Sequence, residues 1–233
     1  MKTILKGIVL IGIIVFLGAC ATTPATTEEP LPQQLLVDRA RITADTFIGD
    51  PDMQWAREHL NQAKGLLIVP GLYKGAWFLG GSGGRGVLLV RDQETGEWVG
   101  PAFYNLGSIS FGLQFGGQKS EVVLMVMTQK GLEKLYRTAV KIGGETSVAV
   151  GPIGVGVQGA MASLNVDYVS FARTKGAFIG IALDGAVVDE SYAWNKAYYG
   201  RPVRPVDIFV SHDAKNPNSD KLRTTVAKLE LPQ

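Results

Sequence analysis

Residues 100–128 read GPAFYNLGSISFGLQFGGQKSEVVLMVMT. Ile109, Phe111, Leu113 and Phe115 alternate with Ser108, Ser110, Gly112, Gln114 and Gly116. That is the period of two of an extended chain, which a helix does not produce. One face of the segment is apolar and the other nearly bare, so the stretch predicts strands of a sheet. The same character spreads outward. Residues 65–185 hold 24 of the chain's 29 glycines, with Val, Ile and Phe in short runs, and strands are predicted at 66–69, 76–80, 86–91, 98–104, 108–116, 121–127, 146–150, 153–161, 166–172 and 177–183. Hairpin-sized gaps favour antiparallel pairing, because a parallel crossover needs about a dozen residues or more.

Helices flank this region. Val37, Ala40, Ala44, Phe47 and Ile48 recur at helical spacing and predict a first helix that stops near Gly49. Asp50 and Pro51 form an N-cap with proline at the first helical position, opening a second helix with Met53, Ala56, Leu60 and Ala63 inward. Thr128 caps a short helix bearing Leu132, Leu135 and Tyr136, predicted to cross one end of the sheet. Tyr192, Ala193, Ala197 and Tyr198 predict another helix ended by Gly200, followed by an extended connector at 201–205. Leu222, Val226 and Leu229 mark a C-terminal helix with no evident role. The predicted fold class is α+β, a coiled antiparallel sheet or barrel-like core with flanking helices.

Glycine inside a strand costs roughly 0.5 to 1 kcal/mol relative to alanine. Gly112, Gly116, Gly154, Gly156 and Gly180 are predicted to clear one sheet face. Strand coiling and tight packing explain such glycines more simply than a ligand lying on bare backbone.

The ends set the compartment. Residues 1–19 carry Lys2 and Lys6, an apolar run at 8–17, and Leu17-Gly18-Ala19 before Cys20, the pattern of a lipoprotein signal peptide. Cys20 is the only cysteine, so the chain holds no intrachain disulfide and Cys20 is the expected lipidation site. Bacterial sorting patterns, which Ala21 resembles, imply an outer membrane anchor facing the periplasm. Residues 20–34, rich in Thr and Pro, are predicted as a tether, residues 35–212 as one domain and 213–233 as a polar segment with a short helix. Setting aside Lys2 and Lys6 leaves 21 basic against 21 acidic residues. That neutrality argues against nucleic-acid binding. Charge is uneven all the same: residues 28–58 hold seven acidic and three basic groups, and residues 119–141 hold five basic and two acidic.

The ordered motifs resemble the SYLF domain family. The similar segments are Gly100-Pro101-Ala102, Gly112-Leu113-Gln114-Phe115-Gly116-Gly117-Gln118, the strand 122–128, residues 63–70, residues 148–154, residues 170–180 and Ala197-Tyr198-Tyr199-Gly200. Together they span roughly residues 35 to 200. The resemblance implies a non-catalytic lipid binder, since eukaryotic members bind membrane phosphoinositides and actin. The lipobox and the absence of an SH3 or FYVE-like segment point away from a cytoskeletal role here. Phospholipid is therefore the expected partner. A protein-interaction module receiving an envelope protein is the alternative, and the oligomeric state is open.

Catalytic patterns fail on inspection. Residues 81–86 and 154–159 both fit G-x-G-x-x-G, yet each continues as strand, so no helix N-terminus awaits a pyrophosphate. Ser82 fits G-x-S-x-G without the strand-turn-helix elbow that motif needs. His59 and His212 are the only histidines and are expected at the surface. Two histidines and an acylated cysteine make no zinc site, the carboxylates lack calcium-loop spacing, and no P-loop is present, so no cofactor is expected. Asp167, Asp184 and Asp189 have the spacing of turn and capping residues. What remains are cations beside glycine turns or strand ends, Lys64, Lys74, Arg85, Lys119, Lys141, Arg173 and Lys175. There a positive group and backbone amides can meet a phosphate together. Tyr73, Trp77 and Trp98 are aromatic candidates for a membrane interface.

Overall fold

The computed structural model describes residues 31–76, 80–110, 116–137, 139–144, 146–154, 166–179, 181 and 183–230. Four long strands form its centre: β1 (Gly65–Ala76), β2 (Gly80–Arg91), β3 (Trp98–Ser110) and β4 (Gly116–Val126). Short strands extend both sides, β5 (Val140–Lys141), β6 (Val148–Val150), β7 (Tyr168–Thr174), β8 (Ala177–Ile179) and β9 (Val187–Glu190). The order is β5-β9-β3-β2-β1-β4-β7-β6, with β8 also on β7, and the sheet curls into a half-barrel.

Apolar runs such as 66–69, 87–90 and 122–126 follow from burial on both faces, which leaves no room for polar alternation. Leu67, Val69, Leu88, Tyr104 and Leu124 point to the inner side of the curl, where α3 (Gln129–Leu135) and α5 (Pro205–Phe209) supply Leu132, Leu135, Ile208 and Phe209. Leu66, Ile68, Val87, Phe103 and Met125 point outward. They pack under α1 (Pro32–Gly49), α2 (Gln54–His59), α4 (Tyr192–Tyr199) and α6 (Asp220–Leu229).

Helix α3 closes one end of the curl, as its sequence predicts. The Thr128 hydroxyl accepts the Gly131 amide at 3.0 Å. The buried hydroxyls of Tyr104 on β3 and Tyr168 on β7 donate to the Leu135 and Gly131 carbonyls at 2.6 and 2.8 Å. Two strands from distant parts of the sheet thus hold one short helix.

Differences from the sequence reading have local causes. The stretches 98–104 and 108–116 are not separate strands up to Ser110, because β3 runs unbroken from Trp98 to Ser110. Nor do β3 and β4 pair with each other, since β2 and β1 lie between them. Among the named strands pairing is antiparallel except at β6, which runs parallel to β7. Ile153 and Gly154 lie outside any strand, and the Gly154 amide donates to the Asp52 carbonyl. Strands β5 and β9 and helix α5 were not foreseen, being two to five residues long. Helix α1 begins at Pro32, so 32–34 form its first turn. The alternation at Phe111, Leu113 and Phe115, together with Trp77, Gly112, Gly156, Gly180, Cys20 and the leader, lies outside the described residues.

The C-terminal helix has a structural role. Leu222 and Val226 are buried, and Ser219 Oγ and Arg223 Nη1 both donate to the Gly100 carbonyl at 3.1 and 2.9 Å. Arg91 reaches Glu230 at 2.6 Å, and the Trp98 indole nitrogen donates to the same carboxylate. Trp98 is therefore a core residue, not an interfacial one.

Candidate functional site: a cation-lined cleft over a glycine floor

The strand register assembles the site. Lys119 on β4 pairs with Tyr73 on β1, Tyr73 with Gly83 on β2, Gly83 with Gly107 on β3, Gly107 with Val187 on β9, and Val187 with Lys141 on β5. This row crosses six strands, about 24 Å at ~4.8 Å per strand. It has a lysine at each end and two bare glycines in the middle. The neighbouring row is Gly117, Gly75 and Gly81. On the other side lies Arg85, Asn105 and Asp189. Alternation puts all three rows on the face of Val87 and Phe103, which is the outer face.

Glycine is not demanded here by packing. A Cβ on Gly75, Gly83 or Gly117 would meet nothing within 4 Å, and on Gly81 or Gly107 only one carbonyl oxygen at 3.6 Å. Inward-facing Gly84 and Gly86 are different. A Cβ on Gly84 would collide with the Gly71 carbonyl, and one on Gly86 would sit 2.5 Å from the Ile68 oxygen, where β1 shifts register between Ile68 and Leu72. Strand coiling thus explains Gly84 and Gly86, while the outward glycines leave a floor of bare backbone. The glycines singled out in the sequence are not these.

Leu36 and Arg39 of α1 and Trp194 of α4 wall the floor into a cleft of about 1170 Å³. Arg85 is fixed within it. Its guanidinium carbon lies 4.6 Å from the Trp194 ring centroid, an attraction between cation and ring quadrupole. Its Nε donates to Asn105 Oδ1 at 3.2 Å, and neither terminal nitrogen has a hydrogen-bond partner among the described residues. Lys119 Nζ stands 5.9 Å from the ring of Tyr73, itself 58% exposed. Among the described residues, Arg39, Arg85, Lys119 and Lys141 have no carboxylate partner, whereas Arg91, Arg173, Arg204 and Arg223 each have one.

Of the seven cations named from the sequence, the fold gathers Arg85, Lys119 and Lys141. Lys64 lies at the opposite end of β1, its amide on the Val126 carbonyl. Lys74 alternates onto the inner face beside Ser82 and Gln118. Arg173 pairs with Glu121 at 3.1 Å, and Lys175 sits in the β7–β8 turn. Arg39 and Trp194 escaped the sequence reading, and Asp189, read there as a turn or capping residue, instead stands on β9 opposite Asn105 in the cleft lining. The three come from two helices and a four-residue strand, and no local pattern links them.

The remaining candidates are structural. Ser82 Oγ bonds Ser108 Oγ at 2.7 Å within continuous strand. His59 stacks on Trp55 and bonds its carbonyl at 2.8 Å, so it is half-buried rather than freely exposed. His212 meets Asp92 at 3.0 Å. Asp167 accepts from the Thr128 hydroxyl and from the amide and hydroxyl of Ser147. Among the described residues, no three or more His, Cys, Asp or Glu gather as a metal set, and no helix is long and apolar enough to cross a membrane.

A family model described as "Ysc84: Las17-binding protein actin regulator" matches residues 107–229, more than half of the chain. The chain belongs to the Ysc84, or SYLF, family. The match runs from Gly107 on the cleft floor to Leu229, the last residue of α6. SH3 domain-containing YSC84-like protein 1 of Homo sapiens is 25% identical over 190 residues, 78% of this chain and 55% of the human protein. LAS seventeen-binding protein 3 of Saccharomyces cerevisiae is 27% identical over 146 residues, 60% of this chain and 31% of the yeast protein. An SH3 domain-containing protein of Schizosaccharomyces pombe is 31% identical over 146 residues, 60% of this chain and 33% of its own length. The chain thus spans about half the length, or less, of these curated relatives. The family description is that of a binding regulator.

Proposed function

We propose that the protein is a non-catalytic binding module, held at a bilayer by acylated Cys20, whose cleft receives the phosphates of phospholipid headgroups. The observation that carries this reading is the set of four cations without carboxylate partners, Arg39, Arg85, Lys119 and Lys141, around a floor of bare strand backbone. An unpaired cation in a walled recess gains a charge-assisted hydrogen bond when a phosphate enters, and the glycine floor lets the headgroup approach the sheet. Helix α1 supports the same orientation. Leu31, which precedes it, and its own Leu35 and Ile42 are exposed by 56, 41 and 55% along one stripe of the helix that contributes Arg39 to the cleft. Each acyl methylene buried at Cys20 contributes about 0.8 kcal/mol, so a multi-chain anchor on an outer membrane facing the periplasm would be permanent.

The second reading is a protein partner, favoured by the family description and by the Las17-binding name of a yeast relative. Flotation separates the two. The Cys20→Ser chain, which no acyl group can anchor, is expected to float with phosphatidylglycerol vesicles at low salt and to be released at high salt, since screening shortens the reach of exposed charges. Replacing Arg85, Lys119 and Lys141 together by Gln should abolish flotation. Indifference of the parent chain to every vesicle would leave the protein-partner reading in its place.

A further inference from the structure

We infer that the cleft selects a headgroup with a primary ammonium beside its phosphate, of the phosphoethanolamine kind, presented by a bilayer. This rests on the headgroup reading above and narrows its ligand. The observation is the row formed by Arg85, Asn105 and Asp189 on β2, β3 and β9. Directly opposed residues on neighbouring strands hold their Cβ atoms about 5 Å apart. A guanidinium, an amide and a carboxylate therefore stand in line across one wall of the cleft.

Arg85 and Asp189 do not pair with each other. Arg85 is drawn onto Trp194 and tied to Asn105, and the Asp189 carboxylate has no ion pair or hydrogen bond among the described residues. A carboxylate left open beside four unpaired cations opposes a ligand that is negative throughout, because like charges at close range repel. It suits a ligand that is negative at one end and positive at the other. The Arg85 terminal nitrogens and the Asn105 side-chain amide, whose oxygen is engaged and whose NH2 is not, face the phosphate. Asp189 faces the ammonium.

The chemistry of the cation follows. A primary ammonium has three N–H donors for the carboxylate, whereas a quaternary one has none and depends on an aromatic face. The cleft's two rings already face cations, Trp194 with Arg85 at 4.6 Å and Tyr73 with Lys119 at 5.9 Å from its centroid. Phosphoethanolamine therefore fits and phosphocholine does not.

The test is co-flotation of the Cys20→Ser chain with vesicles of phosphatidylcholine alone, or enriched in phosphatidylethanolamine or in phosphatidylglycerol, beside the additional change Asp189→Asn. The parent chain is expected to bind the ethanolamine vesicles about tenfold better than phosphatidylcholine alone, the size of one hydrogen bond to a charged group. Asp189→Asn should remove that advantage while leaving phosphatidylglycerol binding equal or stronger, with an unchanged thermal melt. Arg85→Gln should weaken binding to both lipids. Binding to phosphatidylglycerol with no gain from ethanolamine, or a gain that survives Asp189→Asn, overturns the ammonium assignment and spares the headgroup reading. Failure to bind any vesicle overturns both.

Discussion

Gly83 and Gly84 sit side by side on β2 and face opposite sides of the sheet. Outward Gly83 has open space where a Cβ would go, and inward Gly84 meets the β1 backbone. Gly83→Val is expected to fold at least as stably as the parent, because a β-branched residue suits an extended chain. Gly84→Val should lose about 2 to 3 kcal/mol through overpacking against backbone that has no rotamer to yield. Urea unfolding of the two variants checks this, and equal losses would mean that the outward glycines are packing residues after all. At this scale the sequence was half legible. Abundant glycine in strands was visible, but which face a glycine serves depends on register across four strands, β1 to β4. Arg85, Lys119 and Lys141 were found because they neighbour glycines; Asp189 gave no sign, since a lone aspartate at a strand end looks like any turn residue.

At the scale of elements, α3 and α6 show how short helices fix the curl. Asp167 ties the start of α3 to the loop before β6 and to β7. Burial pushes its carboxyl up; hydrogen bonds from Thr128 and Ser147 and the charge of Lys130 outweigh this, leaving it below its ordinary 3.8. A carboxyl lowered on folding stabilises the native state above its unfolded value, and that stability is lost as pH falls from 3.8 through the folded value. Asp167→Asn should therefore be less stable at neutral pH by about 1 to 3 kcal/mol and show a shallower acid limb below 3.8. Denaturant midpoints across that range decide it, and an unchanged acid limb would remove Asp167 from the tie. For α6, Arg223→Ala strips one donor from the Gly100 carbonyl and should cost about 1 to 2 kcal/mol, with faster amide exchange along 220–229 than elsewhere. Uniform exchange would show that α6 opens only with the whole domain. The helices α1, α2, α3 and α4 were legible from spacing and caps. Strands β5 and β9 and helix α5 were not, because two to five residues carry no period and are held by neighbours distant in sequence. The role of α6 was equally hidden, since its partners Gly100, Arg91 and Trp98 lie more than a hundred residues away.

At the scale of the molecule, a chain of nearly balanced charge, 23 basic against 21 acidic residues, gathers on one outer recess four cations without carboxylate partners among the described residues, while Arg91, Arg173, Arg204 and Arg223 each have one. Net charge alone would exclude a strong attraction to anionic surfaces, yet binding responds to the local field within a Debye length of about 8 to 10 Å. The central claim is that this recess, with its floor left bare, is where the protein meets its ligand without making or breaking bonds. The most direct measurement is density-gradient flotation of the Cys20→Ser chain beside the same chain carrying Gly107→Val, a side chain that fills the floor, touches no charge and leaves room for the fold. The account expects the filled variant to melt with the parent and to lose flotation on phosphatidylglycerol and phosphatidylethanolamine vesicles alike. Undiminished flotation of a well-folded Gly107→Val chain would contradict it.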